Sequence, residues 1–114
     1  MSHGGIALGA RGEGLAARWY EQHGYRVVAR NWRCDIGEID LVLRRGAEVV
    51  IAEVKTRVST RFGVPAEAVG FAKQRKLRRL AAAWLASSKE RYDEVRFDVV
   101  AVIGNDVEVI PAAF

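Results

Sequence analysis

Three acidic residues lie in segments that otherwise have the composition of apolar β-strands: Asp40 in EIDLV, Glu53 in VVIAEVK and Asp98 in RFDVVAV. Burying a lone carboxylate is costly, so an acid in such a strand is usually paired with a cation or bound to a metal. Glu53 and Lys55 are two residues apart, a spacing that places both side chains on the same face of a strand. If the strands that carry Asp40 and Glu53 form a hairpin, Asp40 reaches the same point.

Two carboxylates and one ammonium group at one point could support hydrolysis of phosphodiester bonds. Carboxylate oxygens suit Mg²⁺ or Mn²⁺, which such sites hold with one or two carboxylates, water and substrate phosphate. A lysine beside them can orient a water or stabilise the charge that develops on phosphate. The structural alternative is a buried ion pair between Glu53 and Lys55, with Asp40 capping a turn.

The elements that must position these side chains are predicted in the order α-β-β-β-α-β-β, which indicates one α/β domain over residues 1–114. Residues 1–10 are glycine-rich and we expect them to be flexible. Apolar periodicity and turn residues predict helices over 11–23 and 66–87, the second broken at Gly70. They predict strands over 25–32, 37–45, 47–56, 95–103 and 106–114, and a loop over 57–65.

Side-chain spacing also predicts which residues face the core. Leu15 and Trp19 mark the buried stripe of the first helix. In the second predicted strand, Ile39, Leu41 and Leu43 face one way. The apolar face of the second helix is formed by Leu77, Leu80, Ala81, Trp84 and Leu85.

The positive charge is concentrated in one part of the chain. The 114 residues carry a net charge of +4, but residues 55–79 hold eight bases and one acid, a net +7, which leaves −3 for the rest. Such a region fits a polyanion, and it equally fits a solvated helix face. Cys34 is the only cysteine, which excludes a disulfide framework. No apolar run spans a bilayer and no signal peptide precedes the first helix, so we expect a cytoplasmic protein.

The run GEIDLV, followed about a dozen residues later by EVK, is similar to the PD-(D/E)XK nuclease core. That superfamily includes restriction endonucleases and archaeal Holliday-junction resolvases; Ile39 stands where its motif has proline. Longer segments look like the YraN-like family of small bacterial proteins over nearly the whole chain. They are GEGLAARWYEQHGYRVVARNWRCDIGEIDLVL, VIAEVKTR, FGVPAEAV, KQRKLRRLAAAWL and RFDVVAV. The resemblance implies a restriction-endonuclease-like fold, a central mixed β-sheet flanked by helices.

The resemblance also implies site residues. Asp40 and Glu53 match the two acids of the motif and would bind Mg²⁺ or Mn²⁺, with the carbonyl of Val54 as a third oxygen. Lys55 matches the motif's lysine. Its implied role is to position the attacking water or stabilise charge on the phosphate.

Two helical residues match further family positions. Glu13 matches a helical glutamate that resolvase-like members bring to the metal. The alternative is an acid in the first turn that interacts with the helix dipole. Gln74 matches a glutamine that related nucleases place in the helix after the core, although it also suits a plain helix surface. For Asp98 we favour a structural ion pair, with Lys55 or Arg96 as partner.

These residues and the resemblance together predict a Mg²⁺- or Mn²⁺-dependent endonuclease acting on DNA. The resolvase likeness implies branched or flapped DNA as the substrate. A protein that cuts both strands of a junction is expected to be a symmetric dimer. The alternative is a non-catalytic DNA-binding or adaptor protein that retains the fold. The candidate phosphate contacts, which carry no sequence information, are Arg57, Arg61, Lys73, Arg75, Lys76, Arg78 and Arg79.

Overall fold

The computed structural model describes residues 2–57 and 69–114, with side chains from residue 9 onward. The order α-β-β-β-α-β-β is confirmed. The elements are α1 (Ser2–Gln22), β1 (Arg26–Cys34), β2 (Gly37–Arg45), β3 (Glu48–Arg57), α2 (Phe71–Ser87), β4 (Glu94–Ile103) and β5 (Asp106–Ile110).

Three boundaries differ from the sequence prediction by four residues or more. Helix α1 begins at Ser2, nine residues before the predicted start. Helix α2 begins at Phe71, because Gly70 has an extended backbone and is its N-cap. Strand β5 ends at Ile110, before Pro111, which has no N–H to continue a ladder. Of the predicted loop and helix start, residues 58–68 lie outside the described residues.

The five strands form one mixed sheet in the order β1-β2-β3-β4-β5. Strands β1–β2, β2–β3 and β4–β5 are antiparallel, whereas β3 and β4 are parallel. A parallel pair needs a long crossover connection, and α2 lies in the connection between β3 and β4. The parallel pair β3 and β4 contains the two longest and most buried strands, and β3 is the central strand of the sheet.

The two helices cover opposite faces of this sheet. Strand β3 shows the alternation clearly: Val49 and Ile51 belong to the core on the α2 face, and Val50 and Ala52 to the core on the α1 face. From α2, the buried side chains are Leu77, Leu80, Ala81 and Trp84, as the sequence predicts. Together they give a three-layer α/β/α domain.

The buried face of α1 is not the predicted one. Ala16, Ala17 and Tyr20 are fully buried, whereas Leu15 and Trp19 only border the same core. Small residues are favoured because the helix lies very close to the sheet. At Gly12 an added Cβ would overlap the hydroxyl oxygen of Thr56 on β3.

Strand β2 changes face within its length, which corrects a second prediction. Leu41 and Leu43 pack on the α1 face as a pair, but Ile39 belongs to the α2-side core with Val42. The change of face occurs at Asp40. Within the part of the chain that is described, no helix is long and apolar enough to cross a membrane.

Candidate active site

The site is formed where β2 and β3 separate. Their ladder runs from the Arg45–Glu48 pair to the Leu41–Ala52 pair and goes no further. Beyond that pair, and within residues 2–57 and 69–114, β2 pairs only with β1 and β3 pairs only with β4. We call this divergence the fork. Asp40 and Glu53 are the first residues of the two strands inside it.

Asp40 occupies the fork as a hydrogen-bond acceptor. Its Oδ2 atom accepts a hydrogen bond of 2.8 Å from the backbone N–H of Val54, on the neighbouring strand. The side chain is largely shielded from water, and this burial raises the pKa of Asp40 to about 7. That pKa of about 7 already includes repulsion from the Glu53 charge, which acts in the same direction as burial, and the hydrogen bond from the Val54 N–H, which opposes both effects. Among the described residues, no cationic side chain forms an ion pair with Asp40.

Glu53 is the buried carboxylate of the site, with 7% of its side chain exposed. Its Oε1 atom lies 3.4 Å from Nζ of Lys55 and 3.2 Å from Nζ of Lys73. The Glu53–Lys55 pair matches the same-face geometry that their spacing predicts. The same ion pair is expected if Glu53 and Lys55 have only a structural role. That alternative also has Asp40 capping a turn, whereas Asp40 accepts a hydrogen bond from the neighbouring strand.

Glu13 approaches the fork from α1. It lies in the interior of that helix, and the first turn of α1 holds no acidic residue, so the helix-dipole alternative is wrong. Burial raises the pKa of Glu13, the Asn31 side chain lowers it, and the charges of Glu38 and Glu53 raise it. Since Glu13 also contributes to the raised pKa of Asp40, the three predicted acids interact electrostatically at one place.

This donor set fits a hard divalent cation only in part. Asp40 is a carboxylate without a described cationic partner, and its charged form is disfavoured until a cation approaches. Among the side chains of residues 9–57 and 69–114, however, no group of three or more His, Cys, Asp or Glu is arranged to hold a metal ion. Mg²⁺ is commonly bound by only one or two carboxylates and keeps several of its own waters, and Asp40 and Glu53 can provide two carboxylates. Ligation by Glu13 and by the Val54 carbonyl stays a prediction.

Gln74 has a structural hydrogen bond. Its Nε2 atom donates to the carbonyl of Val69 over 2.9 Å, which joins the first turn of α2 to the residue before its N-cap. In the described part of the chain no hydrogen bond links Gln74 to Asp40 or Glu53, and its catalytic role stays a prediction. Its neighbour Lys73 reaches the carboxylate instead.

The basic residues of α2 divide into two groups. Arg75, Lys76 and Arg79 line an open groove of about 610 Å³ between α2 and the β1–β2 turn, with Ala72, Asp35 and Ile36. The Lys76 stem lies so close to Gly37 that a Cβ there would come within 2.7 Å of it. Arg78 points elsewhere: its guanidinium lies over the rings of Phe97 and Phe114, at 4.9 and 5.6 Å.

The two other predicted phosphate contacts are Arg57, the last residue of β3, and Arg61. Arg57 is half-buried and donates to the carbonyl of Thr56 over 3.1 Å. Arg61 lies outside the described residues. The groove therefore contains three of the seven predicted contacts, and Lys73 is at the fork.

Asp98 belongs to a separate, structural network. It is 1% exposed and accepts two hydrogen bonds from Arg96, at 2.8 and 2.9 Å. It also accepts a hydrogen bond of 2.6 Å from the Tyr20 hydroxyl and one of 3.1 Å from the Ala112 N–H. Hydrogen bonding to Asp98 raises the pKa of Arg96, and burial raises that of Tyr20. The predicted ion pair with Arg96 is confirmed, and the pair joins α1, β4 and the C-terminal segment.

Sequence reasoning missed two residues of the site. Lys73 was assigned to phosphate binding, but its ammonium contacts Glu53. Asn31 has a left-handed backbone conformation, with a φ of 50°, and hydrogen bonding by its side chain lowers the pKa of Glu13. Asparagine is enriched in that conformation, so an Asn inside a predicted strand was the available signal for an irregularity.

The structure thus defines an α/β protein with a carboxylate–lysine site at the fork between two central strands. A family model described as "Uncharacterised protein family UPF0102" matches residues 12–102. The chain belongs to this UPF0102, or YraN-like, family.

Similar bacterial proteins carry the same family name, "UPF0102 protein". The one from Beutenbergia cavernae is 57% identical over 97 residues, covering 85% of this chain and 82% of that protein. The one from Nocardia farcinica is 52% identical over 97 residues, with 85% and 76% covered. The one from Rhodococcus opacus is 50% identical over 103 residues, with 90% and 86% covered. These names state no reaction, so an activity must be argued from the site.

Proposed function

We propose that the protein is a divalent-cation-dependent nuclease that hydrolyses phosphodiester bonds in DNA. One observation carries this proposal: the fork brings the Asp40 carboxylate to the Glu53–Lys55 pair, and the pKa of Asp40 is raised to about 7. A carboxyl group with a strongly shifted pKa, located in an opening of a sheet near a second carboxylate and a lysine, is a candidate for a reactive site. The sequence resemblance to the PD-(D/E)XK core supports the same assignment.

Asp40 and Glu53 would hold Mg²⁺ or Mn²⁺, with Glu13 in support. A divalent cation there would neutralise phosphate charge and lower the pKa of a bound water. Hydrolysis adds water across one P–O ester bond and leaves a phosphate monoester and a free hydroxyl. Lys55, whose side chain is 23% exposed, would hold the attacking water or stabilise the additional negative charge on the phosphate.

The groove along α2 would bind the DNA backbone. Arg75, Lys76 and Arg79 present three cationic groups on one wall, with Asp35 as the acid among the lining residues. Contacts of this kind position a duplex or a single strand without reading its sequence. Binding should therefore weaken steeply with salt, by about one unit of logarithmic slope for each phosphate contact. A preference for branched or flapped DNA would follow from the likeness to junction resolvases.

The second candidate is a DNA-binding or adaptor protein that cuts nothing. It is favoured by the two ammonium groups on Glu53, since a carboxylate neutralised in this way needs no metal. The groove would then provide the whole function. The two candidates differ in whether the fork binds a cation and whether DNA is cut.

The test is a cleavage assay on end-labelled single-stranded, duplex, flap, splayed-arm and four-way-junction DNA, each with Mg²⁺, Mn²⁺ or EDTA. The variants are Asp40→Asn and Lys55→Met. Matched controls are Asp106→Asn and Lys89→Met, which make the same charge changes at exposed positions away from the fork.

A nuclease predicts cleavage that needs the cation, disappears in both fork variants and persists in both controls. Losses of 10²-fold or more are expected for groups that act in the transition state. DNA binding without cleavage in any cation, unchanged in Asp40→Asn, would refute the nuclease proposal and support the adaptor.

A further inference from the structure

Glu53 receives two ammonium groups on one oxygen atom. Nζ of Lys55 and Nζ of Lys73 lie 3.4 and 3.2 Å from Oε1. The two lysines come from different elements, β3 and α2, and therefore reach the carboxylate independently. A residue that the sequence assigns to phosphate binding thus serves as a counter-ion inside the candidate active site.

The two contacts differ in how easily they can be broken. Lys55 is fixed on the same strand as Glu53 and is 23% exposed, whereas Lys73 is 40% exposed on the first turns of α2. The contact of the more exposed ammonium is more strongly screened by water, and partly exposed ion pairs are individually weak. A divalent cation that binds Glu53 is repelled by both ammonium groups, and this repulsion favours the departure of one of them. Lys73 is the less costly of the two to move.

We propose that Lys73 is the resident counter-ion of Glu53 and that a divalent cation displaces it on binding. This inference rests on the proposed function, because it assumes that the fork binds a cation. Lys73 stabilises the buried carboxylate in the metal-free protein and competes with the metal for it. Once displaced, its ammonium lies on the same helix as the groove bases Arg75 and Lys76, where it can bind phosphate. Metal binding then adds one cationic contact for DNA.

The experiment is a calorimetric titration of Mn²⁺ into protein without DNA, so that its readout is independent of cleavage. Lys73→Met removes the competitor and should bind Mn²⁺ about fivefold more tightly than the wild type, as expected for loss of a partly exposed ion pair. Lys89→Met removes the same charge from an exposed position after the end of α2 and should bind like the wild type. Circular dichroism verifies that each variant is folded.

A second variant tests the opposite direction and does not depend on Lys73→Met being folded. Lys73→Arg keeps the positive charge and supplies a planar guanidinium group, which binds carboxylates more strongly than an ammonium group does. The Arg variant should therefore bind Mn²⁺ more weakly than the wild type. Unchanged or weaker Mn²⁺ binding by folded Lys73→Met would overturn the inference and leave the nuclease proposal intact. No Mn²⁺ binding by the wild type would overturn both.

Discussion

Neutralising Asp40 should stabilise the metal-free protein at neutral and alkaline pH. The pKa of this carboxyl is about 7 in the folded protein against a usual value of 3.8, mainly because it is buried and secondly because Glu53 repels its charge. Asp40→Asn removes the charge and retains an oxygen that can accept the hydrogen bond from Val54. The substitution therefore separates the charge of Asp40 from its structural contact.

The direction in which the free energy of unfolding changes with pH depends on whether Asp40 loses its proton at a lower pH in the unfolded or in the folded state. Asp40 ionises near pH 4 in the unfolded chain but only near pH 7 in the folded one, so the folded state binds more protons in between. The free energy of unfolding of the wild type should fall as pH rises from about 4 through about 7. The full shift corresponds to about 4 kcal/mol, at 1.36 kcal/mol per pKa unit. Since the side chain is not completely buried, solvent screening reduces this to about 2 kcal/mol.

The assay is urea unfolding in EDTA at pH 4.5 and pH 8. The stability of Asp40→Asn relative to the wild type should increase by about 2 kcal/mol between the two pH values. Asp106→Asn, at an exposed position, should show no comparable increase. If Asp40→Asn is equally destabilised at both pH values, the Asp40 charge is a stabilising part of the fold, and the reasoning from burial and Glu53 repulsion is refuted.

Three further predictions concern the packing of α1 on the sheet, the buried Asp98 network and the groove. Gly12→Ala should destabilise the protein by about 1–3 kcal/mol in urea unfolding, because α1 must move away from β3. At Gly14 an added Cβ meets no atom of the described residues within 4 Å, so Gly14→Ala should stabilise the protein by up to about 1 kcal/mol. Equal effects of the two substitutions would contradict the close packing of α1 on β3. Asp98→Asn should cost about 3 kcal/mol by the same measurement, since it leaves a partly buried guanidinium without its carboxylate, and a cost below about 1 kcal/mol would argue against that network. Fluorescence anisotropy measures how the DNA-binding constant depends on salt concentration. Arg75→Gln should reduce the slope of that logarithmic dependence by about one unit, and Arg78→Gln should leave it unchanged. A reversed result would place the DNA on the other side of α2.

The fold was predictable from sequence because its signals are local. Strand β2 was predicted with the observed bounds, Gly37–Arg45, since its apolar run lies between turn residues. The apolar face of α2 was likewise correct at Leu77, Leu80, Ala81 and Trp84. Helix α1 was predicted less well, because the space beneath it selects small residues such as Ala16 that carry little hydrophobic periodicity.

That Glu53 and Lys55 share a face follows from their spacing, because side chains two residues apart on a strand point to the same side of the sheet. The sequence also identified Asp40 as an acid that an apolar strand would have to accommodate. The end of the ladder between β2 and β3 depends on tertiary packing. Because the ladder ends there, Asp40 accepts a hydrogen bond from the Val54 N–H and has a raised pKa. The tertiary structure alone placed Lys73 on Glu53, because a contact between α2 and β3 depends on the packing of distant segments, which no local pattern encodes.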